Sequence, residues 1–368
     1  MSSKQLNIAV IRGDGIGNDV IASALAIVEA AEKRVGNLGL HLTELSAGAA
    51  YYRETGVDIA PGAEEAAGKS DAIFLGAIGL PDIRHDDGTE ISPHLRLREL
   101  FQLYAGVRPA RAYPNLPRQL QHPDAEKIDL VIIRESTEGL FYTAAVHNRN
   151  PVANDDEVQE ILRITRPTTE KLHNYAFNLA AKRKNRGGKG LVTCVDKANV
   201  FRSMALFRKI FDERRASFPD IEASYSYVDA QALNLIKKPW DYDVLVMENM
   251  FGDILSDLVG GLVGGMGMAA CGEIGDSHAL FQPAHGSAPD IASQDKANPL
   301  ATILSAAMML DYLSDRSGRT DLADATLLIE ESIYKGFEKN RIRPMEFGGD
   351  MGTRAVTREI IALITDGD

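Results

Sequence analysis

Two aspartates one helical turn apart are the residues of this 368-residue chain best spaced to hold a metal ion. Asp253 and Asp257 lie in the apolar-leaning segment 251–258, and on a helix they would share one face. Such carboxylates repel each other unless a cation lies between them, and their hard oxygens suit Mg²⁺ or Mn²⁺. Taken alone, the spacing is more typical of a solvated helix face. Asp229, at the end of the strand-like run 224–228, could supply a third oxygen.

Three arginines and a lysine add the cations that a carboxylate substrate would need. Arg98, Arg108 and Arg134 are candidates, and Arg134 closes an apolar run that is typical of a strand. A guanidinium binds a carboxylate through two parallel hydrogen bonds, so several of them beside a metal suit a di- or tricarboxylate. For one arginine alone, a surface ion pair is the more typical interpretation. Lys197 follows another strand-like run, and a lysine among cations can act as a base.

The composition excludes several classes of function. A formal net charge of −12, without a basic stripe, argues against binding of nucleic acid. The two cysteines, Cys194 and Cys271, cannot build a disulfide framework, and no Cys/His cluster has zinc spacing. Residues 1–6 do not resemble a signal peptide, and no apolar run approaches the ~18 residues of a membrane span. We therefore expect a cytoplasmic protein without a membrane contact.

Strand-like and helical segments alternate along the chain, which predicts the α/β class. The predicted strands are 8–11, 72–75, 130–133, 191–195 and 244–247, and the predicted helices are 19–34, 301–313, 322–339 and 357–365. Five glycines within 260–267 indicate a chain crossing or hinge. The polar segment 144–156 is typical of a surface excursion or an arm between subunits.

Glycines at the N-terminus invite a dinucleotide-binding interpretation, but their spacing argues against it. Gly13-Asp-Gly-Ile-Gly has the pattern GxGxG, whereas the Rossmann fingerprint needs GxGxxG. The segment is therefore predicted to be a tight strand-to-helix turn, which could still line a ligand through free N–H groups.

Several segments together resemble the signatures of the isocitrate/isopropylmalate dehydrogenase family. They are Arg134-Glu-Ser-Thr-Glu-Gly, Val195-Asp-Lys-Ala-Asn-Val, Glu248-Asn-Met-Phe-Gly-Asp-Ile-Leu-Ser-Asp and His285-Gly-Ser-Ala-Pro-Asp-Ile-Ala, with Gly13-Asp-Gly-Ile-Gly and Ala297-Asn-Pro-Leu-Ala. The resemblance runs in order from about Asn7 to the C-terminus. It implies two α/β domains that share a mixed sheet, without a Rossmann domain. The first, cofactor-side domain would be 1–103 and 264–368, and the second would be 104–263.

The resemblance also implies a role for each charged residue. Arg98, Arg108 and Arg134 would bind substrate carboxylates, and Asp253 and Asp257 would bind the metal. Members are homodimers or larger with shared active sites, so Asp229 and Lys197 would come from the other subunit. Lys197 would take the proton of the C2 hydroxyl, through water.

The cofactor segment of the family corresponds to residues near the C-terminal third of this chain. The implied contacts are His285, Gly286, Ser287, Ala288, Asp290, Ile291 and Asn298, with His285 and Asn298 at the adenine end. An aspartate at the position of Asp290 accepts hydrogen bonds from the ribose hydroxyls and repels a 2′-phosphate. The resemblance therefore implies NAD, whereas NADP-preferring relatives tend to carry a lysine.

Two positions depart from the family pattern. The family's proton-donating tyrosine is Phe141 here, and Tyr142 follows it. Either Tyr142 moves in, or water or another group protonates C3, or decarboxylation is impaired. In the substrate-selecting segment, Ser92 fits isocitrate enzymes. His94 and Leu95 stand where isopropylmalate enzymes carry two leucines, so one of the pair is a histidine here. Because other signatures favour the isopropylmalate, tartrate and malate side, the substrate stays open.

The expected function is NAD- and metal-dependent oxidation and β-decarboxylation of a (2R)-2-hydroxy di- or tricarboxylic acid. A 3-isopropylmalate-like acid is the first candidate, and isocitrate, tartrate and D-malate are alternatives. A regulatory subunit without catalysis would be expected to lose some of Lys197, Asp229, Asp253 and Asp257, which are all present. A metal-dependent hydrolase would not need the segment around Asp290.

Overall fold

Buried apolar runs of the sequence form the strands of one mixed sheet. The computed structural model describes residues 5–86, 88–144 and 151–366. Ten strands lie in these ranges: β1 Leu6–Gly13, β2 Leu40–Glu44, β3 Ala72–Ala77, β4 Ala105–Arg111, β5 Asp129–Glu135, β6 Leu191–Asp196, β7 Glu222–Tyr227, β8 Val244–Met247, β9 Ala270–Ile274 and β10 Ala279–Pro283.

Helices follow most of the strands and cover both faces of the sheet. They are α1 Gly17–Val35, α2 Ala49–Thr55, α3 Ala63–Gly68, α4 Pro93–Leu100, α5 Phe141–Ala144, α6 Arg166–Asn185, α7 Arg202–Arg215, α8 Val228–Lys237, α9 Asn249–Leu262, α10 Leu300–Ser317, α11 Thr320–Glu338 and α12 Thr353–Asp366. All the predicted strands and helices listed above are confirmed, with ends that differ by a few residues. Within the described ranges, no helix is both long and apolar enough to cross a membrane.

The strand order explains how the two ends of the sheet are joined. The order is β2-β1-β3-β10-β9-β4-β5-β8-β6-β7. Pairing is parallel from β2 to β10 and again from β5 to β7, whereas β9 and β4 run antiparallel to their neighbours. A Rossmann sheet is parallel throughout its core, so the predicted α/β fold with a shared mixed sheet and no Rossmann domain is confirmed. The assignment of residue ranges to two domains stays a prediction.

The N-terminal glycines form a turn between β1 and α1. Gly13 and Gly15 have φ values of 75° and 53°, a region that glycine reaches at little cost. Between them, the buried Asp14 accepts hydrogen bonds of 2.8 Å from three backbone N–H groups, those of Ala49, Ala50 and Gly79. The turn therefore fastens three loops together, as a tight strand-to-helix turn and not a GxGxxG phosphate loop.

The glycine-rich segment carries the chain from α9 back to the centre of the sheet. Gly264 and Gly265 have φ values of 139° and 124°, and a short 3₁₀ turn, Met266–Met268, leads into β9. This agrees with the predicted crossing. Of the predicted excursion 144–156, residues 145–150 lie outside the described ranges, and residues 151 and 153–156 are exposed.

Candidate active site

The register of three strands places two of the arginines and a glutamate on one face of the sheet. Gly106 on β4 lies opposite Arg134 on β5 and opposite Glu273 on β9. Directly opposed residues share a face, and Arg108, two residues after Gly106, points the same way. A Cβ atom at Gly106 would lie 3.0 Å from Oε2 of Glu273. Without that side chain, the Glu273 carboxylate has room on the face of the sheet that it shares with Arg134.

Arg98 reaches the same place from the last turn of α4. Its side chain is buried, and its Nη2 lies 2.7 Å from Oε1 of Glu273, which is fully buried. A charge so far from water needs an oppositely charged partner, and Arg98 and Glu273 are partners of each other. Nε of Arg98 and Nε of Arg108 are buried without a hydrogen-bond partner in the described structure, so the cluster has unused donors.

Helix α9 brings the two acidic residues to the arginine cluster. The Glu248 side chain caps the helix by accepting a 2.9 Å hydrogen bond from the Phe251 N–H. From this fixed start, Asp253 and Asp257 emerge one turn apart. Nη1 of Arg108 lies 3.5 Å from Asp253 and 3.6 Å from Asp257.

Arg134 ties β5 to α9. Its Nη1 donates to Asp253, and its Nε donates a 2.9 Å hydrogen bond to Oδ1 of Asn249. Burial, with the neighbouring Arg108 and Arg98, lowers the pKa of Arg134 to about 10, so the guanidinium is charged at neutral pH. The five predicted residues Arg98, Arg108, Arg134, Asp253 and Asp257 therefore come together.

The two aspartates suit a hard divalent cation but do not complete its site. Their side chains are 40% and 59% exposed, so oxygen atoms remain accessible. Partial burial and the neighbouring Asp253 raise the pKa of Asp257, a competition that a cation between them would relieve. In the described part of the chain, no group of three or more His, Cys, Asp or Glu side chains is placed to hold a metal. A third protein oxygen would have to come from elsewhere.

Lys197 and Asp229 form a separate pair. Lys197 follows β6, Asp229 lies in the first turn of α8, and Nζ of Lys197 donates to the Asp229 carboxylate. This hydrogen bond lowers the pKa of Asp229. The described contacts of the pair do not include Asp253 or Asp257, so a single chain does not bring all the predicted metal ligands together.

Phe141 and Tyr142 face different arginines. The Arg134 guanidinium lies 4.8 Å from the centre of the Phe141 ring, and Arg163 lies 4.6 Å from that of Tyr142. The structure therefore brings Phe141 to the cluster. The predicted donor Tyr142 is adjacent in sequence but faces Arg163.

Residues 92–95, at the start of α4, form one wall of the arginine cluster beside Arg98. Ser92 is the N-cap residue, and His94 lies one helical turn before Arg98. Nδ1 of His94 is buried without a hydrogen-bond partner in the described structure. Burial, and then the positive charge of Arg98, lower the pKa of His94 to about 3, so the imidazole is neutral at physiological pH. Leu95 and Arg98 line a small cavity together with Phe141.

The predicted cofactor segment follows β10 and packs against the N-terminal turn. The Ser287 carbonyl accepts a 2.8 Å hydrogen bond from the Ile16 N–H, and the Ser287 hydroxyl donates to the Gly79 carbonyl. Ile291 packs against a small cluster that includes Ile16 and Val20. Gly286 is exposed, and Ala288 has a φ of 35° that turns the chain. These contacts hold the segment in a fixed position against the N-terminal turn.

Three polar side chains in or near this segment are the predicted contacts of a nucleotide. Asp290 is exposed on the 3₁₀ turn Pro289–Ile291. Nε2 of His285 is buried without a hydrogen-bond partner in the described structure, and burial lowers the pKa of His285. Nδ2 of Asn298 donates a 2.8 Å hydrogen bond to Glu346.

Sequence reasoning missed three polar residues of these sites: Glu273, Asn249 and Glu346. Glu273 carried a signal in the sequence, because an acidic residue inside the apolar strand run around Cys271 and Ile274 is rarely buried without a partner. Glu346 had none, since it lies far along the chain from Gly267 and Asn298, which it binds.

Comparisons with known proteins agree with this geometry. The sequence model described as isocitrate/isopropylmalate dehydrogenase matches residues 7–364. A 3-isopropylmalate/3-methylmalate dehydrogenase of Methanocaldococcus jannaschii is 38% identical over 98% of this chain and 99% of its own. A homoisocitrate dehydrogenase of the same organism is 37% identical over 98% of both. The crystal structure of isocitrate dehydrogenase from Methylococcus capsulatus has a TM-score of 0.83 at 31% identity, covering 98% of this chain and 99% of that one.

The mixed sheet with an arginine and aspartate cluster at its centre defines the class as an α/β dehydrogenase of hydroxy acids. Within that class, the chain belongs to the isocitrate/isopropylmalate dehydrogenase family.

Proposed function

We propose that the protein is an NAD- and divalent-metal-dependent dehydrogenase that oxidises a (2R)-2-hydroxy acid and removes its β-carboxylate. The observation that carries the proposal is the meeting of Arg98, Arg108 and Arg134 with two exposed aspartates on one sheet face. Such a set of cations beside oxygen ligands fits a substrate with several carboxylates.

The arginines, the aspartates and Lys197 have different roles in the proposed reaction. The arginines bind and orient the substrate carboxylates, and Asp253 and Asp257 hold Mg²⁺ or Mn²⁺ together with Asp229 of a second subunit. When bound, the cation polarises the oxygen on C2 and NAD accepts the hydride. Lys197 of the second subunit takes the C2 hydroxyl proton, directly or through water.

A homodimer with shared sites would complete this arrangement. Lys197 and Asp229 are apart from the aspartates of their own chain, and exposed apolar side chains lie on the neighbouring helices. Leu233 and Ile236 on α8 and Ile254 on α9 are 45–60% exposed. Such side chains gathered on adjacent helices are typical of a protein contact.

Cys194 and Cys271 are buried free thiols, which supports the proposed cytoplasmic location.

A substrate screen tests the proposal. Purified protein with NAD and Mn²⁺ is mixed with (2R)-3-isopropylmalate, isocitrate, homoisocitrate, tartrate or D-malate, and NADH and CO₂ are both measured. We expect both products, with 3-isopropylmalate as the first candidate. NADH without CO₂ would remove decarboxylation from the proposal, and no NADH with any acid would favour a non-catalytic subunit.

Phe141→Tyr is expected to raise the rate of formation of the decarboxylated keto acid, relative to hydride transfer, by roughly 100-fold where C3 protonation limits that rate, the usual contribution of a general acid. A phenyl ring cannot donate a proton, and Phe141 already lies against Arg134. Rapid-mixing measurements of NADH and of the decarboxylated keto acid in a single turnover check the ratio. Tyr142→Phe is the matched control, because it shows whether Tyr142 leaves Arg163 to donate in the wild type. An unchanged ratio in Phe141→Tyr would contradict the role of this position.

Asp290→Lys is expected to lower kcat/KM for NAD by roughly 10- to 100-fold, by the loss of hydrogen bonds to charged acceptors, and to improve NADP use. The reason is the exposed carboxylate on its short turn, which would accept from ribose hydroxyls and repel a 2′-phosphate. Steady-state kinetics with both nucleotides provide the measurement. Asp290→Asn keeps an acceptor without the charge and should fall between the two. NAD kinetics equal to those of the wild type would refute the assignment.

A further inference from the structure

Glu273 is a buried anion in the arginine cluster that the proposed chemistry does not use. Its side chain is fully buried, and its Oε1 accepts from Nη2 of Arg98 at 2.7 Å. Burial alone would raise the pKa of Glu273, but Arg98, Arg108 and Arg134 outweigh burial and lower that pKa. The carboxylate is therefore ionised at neutral pH and stands permanently among the substrate-binding cations.

The charges around this carboxylate leave room for two anionic groups. Three guanidinium groups face the site, and Glu273 neutralises one of their charges. When the divalent cation is bound, the negative charges of Asp253 and Asp257 would balance its two positive charges, and the charges of Lys197 and Asp229 would balance each other. Two positive charges therefore remain for the substrate, which matches an acid with two carboxylates.

None of residues 92–95, which form the wall beside Arg98, carries a positive charge that could replace the one neutralised by Glu273. His94 is neutral, its buried Nδ1 has no hydrogen-bond partner in the described structure, and it lies within the electrostatic influence of Glu273. A substituent on C3 that reaches this wall meets a neutral imidazole and a nearby anion. An uncharged substituent is accepted there, whereas a third carboxylate is repelled.

We propose that Glu273 is a specificity-determining residue that selects a dicarboxylate with an uncharged C3 substituent and rejects tricarboxylates, an assignment that rests on the proposed function for the position of the substrate. Gly106 lies between Arg134 and Glu273 in the register of the sheet and has no side chain to cover the Glu273 carboxylate, since a Cβ atom there would lie 3.0 Å from Oε2.

Binding of inert carboxylates tests the assignment without turnover. Calorimetry with Mg²⁺ compares methylsuccinate, which has two carboxylates, with tricarballylate, which has three. The wild type is expected to bind methylsuccinate at least roughly tenfold more tightly, and Glu273→Gln should shift the ratio of the two dissociation constants towards tricarballylate by roughly tenfold or more. Equal shifts for both ligands, or a wild type that prefers tricarballylate, would overturn the assignment. The wild-type preference needs no variant, so it stands even where Glu273→Gln fails to fold.

Glu135→Gln is the matched control. Glu135 is also buried at this level of the sheet, but it follows Arg134 directly and so points to the opposite face, where it accepts 2.7 Å hydrogen bonds from the Thr137 and Glu138 N–H groups. Its substitution should leave the ligand ratio unchanged. In a parallel assay with NAD, 3-isopropylmalate should be favoured over isocitrate. No turnover with either acid would count against the proposed function, while the binding ratio would still decide the role of Glu273.

Discussion

Asp253→Asn is expected to weaken Mn²⁺ binding by roughly 100-fold or more and to abolish most turnover at ordinary Mn²⁺ concentrations. Even residues that only orient metal ligands contribute 10- to 100-fold to affinity, and a ligand contributes at least as much. The substitution also removes the carboxylate that receives the Arg134 guanidinium. Arg134 is buried, so it would lose its one charged partner among the described residues while keeping Asn249.

Two measurements distinguish the loss of the metal ligand from the loss of the Arg134 ion pair in this variant. Titration with Mn²⁺, followed by electron paramagnetic resonance, reports the free and bound cation directly, and turnover is then measured at saturating Mn²⁺. Partial recovery of kcat at high Mn²⁺ is expected if Asp253 acts mainly as a ligand. Asp241→Asn replaces an exposed aspartate whose one ion pair among the described residues is with Lys238, and this variant should bind Mn²⁺ like the wild type. Wild-type Mn²⁺ affinity in Asp253→Asn would contradict the assignment.

Local patterns predicted six of the strands and the longest C-terminal helices, because strand and helix periodicity follow from the side chains of each segment. The strands β2, β4, β9 and β10 and most of the shorter helices were not predicted. One boundary shows the limit of such patterns. The predicted strand 224–228 ends at Tyr227, and α8 begins at Val228, so Asp229 lies in the first helical turn. An acidic side chain there is stabilised by the helix dipole, which competes with the β-branched preference of Val228 for a strand.

The composition of the site depended on contacts that no local pattern contains. Arg134 was predicted to end a strand, and it is the next-to-last residue of β5. Its place on the same face of the sheet as Glu273 arises from the antiparallel insertion of β9 beside β4. Arg98 alone was more typical of a surface ion pair, and its contact with a buried glutamate shows that it belongs to the buried cluster. These pairings join segments far apart in sequence, which periodicity cannot connect.

Lys197→Met is expected to lower kcat by roughly 10³-fold with little change in KM, because a positioned general base contributes about 10² to 10⁴ to the rate. Lys197→Arg distinguishes this role from a structural ion pair. An arginine keeps the positive charge next to Asp229 but cannot give up its proton, so a catalytic base is not restored by it. Recovery of activity in Lys197→Arg would show instead that the pair with Asp229 is what matters.

Mixing two inactive variants tests where Lys197 acts. In a dimer of one Lys197→Met chain and one Asp253→Asn chain, one site would combine the intact aspartates of the first with the intact lysine of the second. Equal co-expression gives half mixed dimers, each with one intact site, so about one quarter of wild-type activity should return. A site built within a single chain would regain none, since every site would then carry one of the two substitutions. The separation of the Lys197–Asp229 pair from Asp253 and Asp257 in the described chain favours the first result.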